Sequence, residues 1–299
     1  MIKAHELTKI FGNKAALDQV SFDIKDGCVF GLIGSNGSGK STLLRLISGV
    51  YLPDGGSICI DGCATFDNPR LKSQIAFLGD TPYFLPQADL NEMASFYKSM
   101  YPNFSKDTFE HLLKIFPLNR KARISSMSKG MQRQAALILA IASQPRYLLL
   151  DEAFDGLDVV MRRVLGNLLL EGVEKQGLTT VIASHNLREL EDLSDYVGLL
   201  HEGKVLFNDR MDSLQGKLHK VQAAFEHVPD LTVFKGLNVI KTERTGSLLQ
   251  MIIRGDENEI MGFIKALNPV FCECIEPTLE EMFIYELEVT GYDVKNILQ

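Results

Sequence analysis

The sequence predicts an α/β fold: a mostly parallel sheet flanked by helices, with an all-helical insert and a small α+β appendage. Three observations lead there. Short apolar runs of strand length alternate with helix-length periodic segments through the longer N-terminal part. A Gly-rich loop lies between one such run and the helix that follows it. Beyond residue 215 the pattern changes to alternating apolar and polar residues interleaved with two helical stretches.

Residues 2–7, 20–24 and 29–33 read as strands, with Gly12 and Asn13 marking a turn. Residues 41–48 read as a helix, broken by Leu52-Pro53-Asp54-Gly55-Gly56, and 57–60 as a strand ended by Asp61-Gly62. The pattern turns helical from Leu90 to Ala142, punctuated by Pro102 and Pro117, and marks a helical subdomain at about 85–142. Residues 147–150 are continuously apolar and end in acids, as a strand buried on both faces should. A helix at 159–176 closed by Gly177 and a buried strand at 179–183 follow. A hairpin at 196–200 and 204–207 turns at Glu202-Gly203. Residues 1–215 are therefore expected as one domain and 216–299 as another. The second has strands at 220–225, 238–243, 248–253 and 270–275 and helices at 257–267 and 279–287.

Composition narrows the function classes. A chain of 299 residues has room for about two domains, and 45% hydrophobic with 23% charged residues argues against disorder. The net charge of −7 disfavours general nucleic-acid binding, so no nucleic-acid partner is expected. Lys3, His5, Glu6 and Lys9 do not read as a secretory signal. The longest nearly uncharged stretch, 134–144, is shorter than the roughly 18 residues a spanning helix needs, so the chain is expected to be soluble by itself. Cys28, Cys59, Cys63, Cys272 and Cys274 lack the paired CxxC spacing of a zinc ribbon, and reduced thiols are expected.

Gly34-Ser35-Asn36-Gly37-Ser38-Gly39-Lys40-Ser41-Thr42 fits the phosphate-binding pattern GxxxxGK[ST] between a strand and a helix. Its glycines let backbone N–H groups and the helix N-terminus face phosphate oxygens. Lys40 is expected to neutralise the β- and γ-phosphates of ATP, and the Ser41 hydroxyl to ligate Mg²⁺. Asp151, at the end of the 147–150 strand, can hold Mg²⁺ through water, and Glu152 can polarise the attacking water. Two adjacent acids after a strand ordinarily mean a solvated turn; downstream of a phosphate loop the catalytic reading is preferred. Met127-Ser128-Lys129-Gly130-Met131 precedes an apolar helix, which makes Ser128 an N-cap whose surroundings can receive an anion.

Together these residues resemble the ABC ATPase family, from Met1 to about Met211. In family terms the phosphate loop is Walker A, residues 148–152 are Walker B, and 127–131 stand where the family has LSGGQ. Gly156-Leu157-Asp158 matches the D-loop, His185 the switch histidine that contacts the γ-phosphate, and Phe11 the aromatic that stacks on adenine. The resemblance implies a P-loop NTPase cassette with a mixed sheet, a helical subdomain and here a C-terminal α+β domain. It also implies a head-to-tail dimer with a second cassette, identical or related, in which Ser128 and Gly130 contact the partner's ATP. The implied place is cytoplasmic, peripheral on the inner face of the cell membrane through integral transporter subunits that ATP hydrolysis powers.

Departures from the pattern are informative. Lys129 and Met131 replace two positions of LSGGQ, Ala153 replaces a proline, and Asp80 stands where a glutamine links Mg²⁺ to the membrane subunit. The segment 276–283 resembles the ending of bacterial exporter cassettes, and it also reads as a capped helix with Thr278 as N-cap and Glu281 completing a capping box. Tyr83, Phe84, Phe96, Tyr97, Met100 and Tyr101 read either as a socket for a membrane subunit or as the helical subdomain's own core. The competing function is a non-transport ABC-type ATPase acting on a cytosolic macromolecular machine, disfavoured by the single cassette, the acidic charge and the exporter-like ending.

Overall fold

The computed structural model describes residues 1–215 and 218–289 and divides the chain into two units, Met1–Asn208 and Asp209–Gln299. The domain boundary expected after Gln215 falls beside residues 216–217, which lie outside the described residues, as do 290–299.

In the first unit β1 (Ile2–Phe11) and β2 (Lys14–Ile24) form an antiparallel hairpin turned at Gly12, whose φ of 59° is left-handed. Both strands outrun the apolar segments at 2–7 and 20–24. Register shifts between Ala4 and Ile10 break the period-two alternation that a strand reading depends on. β3 (Val29–Ile33), buried at every position, leads through the Gly-rich loop into α1 (Lys40–Ile47). β4 (Gly55–Ile60) and β5 (Cys63–Ala64) complete a four-stranded sheet of order β2-β1-β4-β5. The single turn α2 (Pro69–Lys72), capped by Asn68, precedes β6 (Ile75–Leu78).

The helical segment contains α3 (Leu90–Met100), α4 (Lys106–Ile115) and α5 (Lys129–Ala142). Each begins at a side-chain cap: Asp89 in a capping box with Glu92, then Ser105, then Ser128. Their apolar faces close over Leu90, Met93, Phe109, Leu112, Phe116 and Ile138.

β7 (Tyr147–Asp151), α6 (Val159–Gln176), β8 (Thr179–Ser184), α7 (Leu187–Glu191), β9 (Tyr196–His201) and β10 (Lys204–Arg210) follow. A six-stranded sheet of order β10-β9-β3-β8-β7-β6 results, parallel from β9 through β6. β7 and β8 are buried throughout, as strands covered on both faces are. Because Ile33 pairs with Ser184 and Asp151 with Ala183, β3, β7 and β8 end along one edge. That edge gathers the phosphate loop, Asp151-Glu152 and His185, at the strand ends where parallel sheets bind ligands.

The second unit holds α8 (Met211–Gln215), β11 (Leu218–Ala224), β12 (Asn238–Thr245), β13 (Leu248–Arg254), α9 (Glu257–Ala266), β14 (Phe271–Ile275) and α10 (Leu279–Val289). Its antiparallel sheet runs β12-β13-β11-β14, and Val221, Phe225, Leu249 and Met251 pack with Ile260 and Ile264 of α9. The capping box anticipated at α10 is present: the Thr278 hydroxyl accepts from the Glu281 amide at 3.2 Å, and Glu281 Oε2 from the Thr278 amide at 3.0 Å. No helix among the described residues is long and apolar enough to cross a membrane, and the five cysteines are free.

Candidate active site

β3 delivers the chain at Ile33 into the 34–39 loop, and α1 carries it away. Gly39, at the N-cap of α1, has φ 113° and a Cβ there would stand 2.5 Å from the Ala16 carbonyl oxygen. A Cβ on Gly34 would meet the Leu200 carbonyl oxygen at 2.3 Å. Only glycine fits either position. No side chain caps α1, so its first amides, including those of Lys40, Ser41 and Thr42, are donors available to an anion. Ser38, in the same loop as Ser35, Asn36 and Gly37, is buried with its hydroxyl unpartnered.

Lys40 is buried, and its Nζ donates to the Gly34 carbonyl at 2.6 Å and the Ser35 carbonyl at 3.2 Å. The same Nζ lies 3.5 Å from Glu152 Oε1. Burial lowers the Lys40 pKa, and the Glu152 carboxylate works against that shift.

Asp151 ends β7 fully buried, and neither carboxylate oxygen has a hydrogen-bond partner. Burial raises its pKa, while the neighbouring Ser41 hydroxyl and Arg45 favour the charged form. A carboxylate so placed is costly until a cation meets it, and an acid beside a hydroxyl is the oxygen donor set that Mg²⁺ takes. The residues therefore fit the ion.

Glu152 follows with φ 50°, left-handed and strained for a non-glycine residue, its amide held by the Ala183 carbonyl at 2.9 Å. Its Oε2 meets His185 Nδ1 at 2.9 Å. Asp155, not singled out in the sequence, joins them: one ligand atom from each of Glu152, Asp155 and His185 lies within 4.8 Å of the others.

The remaining expected residues are less tightly gathered. Asp80, past the end of β6 and exposed, accepts from the Thr81 amide at 2.8 Å and stands 3.9 Å from Arg45 Nη2. Its charge contributes to the raised pKa of Asp151, so the two acids share a neighbourhood. Ser128 caps α5, accepting from the Met131 amide at 3.3 Å, and a Cβ on Gly130 would come 2.8 Å from the Gly156 carbonyl oxygen. Neither enters the contacts joining Lys40, Glu152 and His185. Phe11 is 46% exposed, with the Tyr51 ring edge-on at 5.5 Å between centroids. A ring so exposed is no plug between strands. Phe11→Ala should weaken ATP binding by about 1–3 kcal/mol on the base-stacking scale, with little loss of folding stability; calorimetric titration beside a thermal melt checks both.

Residues 17–155 match the family described as ABC transporter. An uncharacterised ABC transporter ATP-binding protein of Methanocaldococcus jannaschii is 30% identical over 263 residues, covering 84% of this chain and 98% of that protein. The chain belongs to the ABC transporter ATP-binding family. The ABC transporter ATP-binding protein YtrB of Bacillus subtilis is 28% identical over 284 residues, 95% of this chain and 97% of its own length. The bacitracin transport ATP-binding protein BcrA of Bacillus licheniformis is 29% identical, covering 74% of this chain and 73% of its own. A solved ATP-binding subunit of an ABC transporter superposes with TM-score 0.67 at 27% identity, covering 72% of this chain and 92% of that one. The chain is thus an ABC ATPase, the ATP-binding kind of subunit.

The cassette also uses a residue the sequence reading missed. Arg133 Nη2 donates to the Asp80 carbonyl at 2.7 Å, and Nη1 reaches the Gly79 and Asp151 carbonyls at 3.4 Å each. It ties α5 to the Asp80 loop and to the end of β7. The available signal was a lone cation heading the uncharged stretch 134–144.

The aromatic group of the cassette's helical part divides into packed and exposed members. Tyr97 and Tyr101 stack at 5.6 Å, burial pushes the Tyr97 hydroxyl up to about 12, and the Tyr101 hydroxyl donates to the Ile75 carbonyl at 3.2 Å. Phe84 packs on the helical core. Tyr83 is 73% exposed, and Phe96 and Met100 are exposed on α3, the helix that carries the half-buried Tyr97.

Proposed function

We propose that this cassette binds Mg-ATP between its own phosphate loop and the Ser128–Gly130 helix start of a second cassette, identical or related. Hydrolysis then drives integral membrane transporter subunits in the direction of export. The observation that carries the reading is the convergence of Lys40, Glu152 and His185 beside the unpartnered buried carboxylate of Asp151.

Residues 34–42 wrap the phosphates with backbone N–H groups, and Lys40 trades its carbonyl partners for phosphate oxygens. Phe11 offers its exposed face to adenine. Glu152 accepts a proton from the attacking water and orients it, and His185 holds the Glu152 carboxylate in place while facing the γ-phosphate. Ser41 and Asp151, with Asp80 through water, would hold Mg²⁺, and the ion would supply positive charge to offset the negative charge developing on the phosphate.

The exposed N-terminus of α5, with Ser128 and the glycine at 130, has the character of an anion site for another chain's ATP. Relatives named for bacitracin and lantibiotic transport support a transport role, and the 276–283 ending supports export. Tyr83, Phe96 and Met100 are the surface by which the chain would be held peripherally at the inner membrane face. Tyr83→Ser with Met100→Ser should release the chain from the membrane protein that co-purifies with it, while turnover of the isolated chain is kept. Retained co-purification would move the contact elsewhere. Phe84→Ser is the wrong probe, because it opens the helical core.

A further inference from the structure

We propose that Arg162 and Glu189 are a positioning pair that fixes the His185 loop to the turn at 156–158, so that the two are set as one body. The inference rests on the ATPase reading above. Arg162, one turn into α6, is a two-acceptor fork: Nε donates to the Leu157 carbonyl at 3.0 Å and Nη1 to Glu189 Oε1 at 2.8 Å. Glu189, on α7, has a side chain only 8% exposed. Its Oε1 also accepts from Asn186 Nδ2 at 3.0 Å, and its Oε2 accepts from the Ser184 hydroxyl at 3.2 Å. The residues immediately before and after His185 are therefore both bound to one carboxylate, and that carboxylate is bound through Arg162 to the backbone of Leu157.

This is not an ordinary surface ion pair. Burial raises the pKa of Glu189, and its charge is sustained by Arg162 together with the Ser184 and Asn186 donors. Removing one partner leaves a buried acceptor short of hydrogen bonds. At the far end Leu157 is itself buried, and the preceding Gly156 carbonyl lies where a Cβ on Gly130 would be only 2.8 Å away. The chain of contacts thus runs from His185, which holds Glu152, to the α5 start, which in the proposed dimer faces the other chain's nucleotide. Neither residue touches the reacting atoms.

Arginine is required for the fork, since lysine can face Glu189 but cannot also offer a second N–H in fixed geometry to the Leu157 carbonyl. The test is a double-mutant cycle on the full chain, with steady-state ATP turnover for the parent, Arg162→Lys, His185→Ala and the combined variant. Arg162→Lys should lower kcat about tenfold, the rate equivalent of one lost charge-assisted hydrogen bond, with KM for ATP and the melting temperature close to the parent's. In the His185→Ala background the same change should cost nothing further, because the group it positions is gone. Losses that multiply, or a parental kcat in Arg162→Lys, would overturn the pairing. Glu189→Gln, isosteric with the parent, repeats the test if Arg162→Lys fails to fold. Glu152→Gln separates the two claims. Parental turnover there would remove Glu152 from the base role on which the catalytic arrangement rests, whereas a slow Glu152→Gln beside a fast Arg162→Lys would sink only the pair.

Discussion

Glu152→Gln should bind ATP and hydrolyse it about 10²–10⁴-fold more slowly, the usual contribution of a positioned base. The amide keeps the length and shape of the side chain, so the left-handed backbone at 152 and the hydrogen bond from its N–H to the Ala183 carbonyl are not disturbed. What disappears is the negative charge that faces Lys40 at 3.5 Å and His185 at 2.9 Å. An uncharged group there cannot take a proton from water, and it repels the γ-phosphate less, so nucleotide should be retained. The variant should accumulate as an ATP-bound dimer. Phosphate release and light scattering in ATP measure the two effects, and a monomer with parental turnover would remove Glu152 from this role.

Gly39→Ala should abolish ATP binding and lower stability. Two separate penalties meet at this position. The φ of 113° costs a side-chain-bearing residue about 1–3 kcal/mol. The new Cβ would also lie 2.5 Å from the Ala16 carbonyl oxygen, a backbone atom of β2 that cannot swing aside. Relief requires moving the start of α1, which carries the amides, Lys40 and Ser41. Gly37→Ala is the matched control, since φ there is 80° but nothing lies within 4 Å of the added atom. Thermal melts with and without Mg-ATP should show a nucleotide-induced rise for the parent, a reduced one for Gly37→Ala and none for Gly39→Ala. An undiminished rise in Gly39→Ala would mean that the loop tolerates displacement and does not set the phosphate position.

What could be seen in the sequence followed from how local each signal is. The phosphate loop, the buried strand ending at Asp151, the turn at Glu202-Gly203 and the Thr278–Glu281 box are each written within a few consecutive residues. Backbone preference and spacing suffice for such features. β1 and β2 were read short because bulges destroy alternation without destroying pairing, and Glu6 in the left-handed region marks such an irregularity. Tyr83 and Phe84 are adjacent and chemically alike, yet one is exposed and the other packs on the helical core, a distinction that only tertiary packing makes. Arg133, Arg162 and Glu189 stayed hidden for a related reason. Their partners are backbone carbonyls or side chains on other elements, and carbonyls are the same in every sequence.

The contact between Lys40 and Glu152 makes nucleotide loading a displacement rather than an addition. Lys40 Nζ already holds the Gly34 and Ser35 carbonyls and faces the Glu152 carboxylate, so a phosphate must compete with internal ligands for it. Measured affinity is then the difference between two attractions for the same ammonium group. Weakening the internal contact should therefore strengthen nucleotide binding without any change in the nucleotide's own contacts.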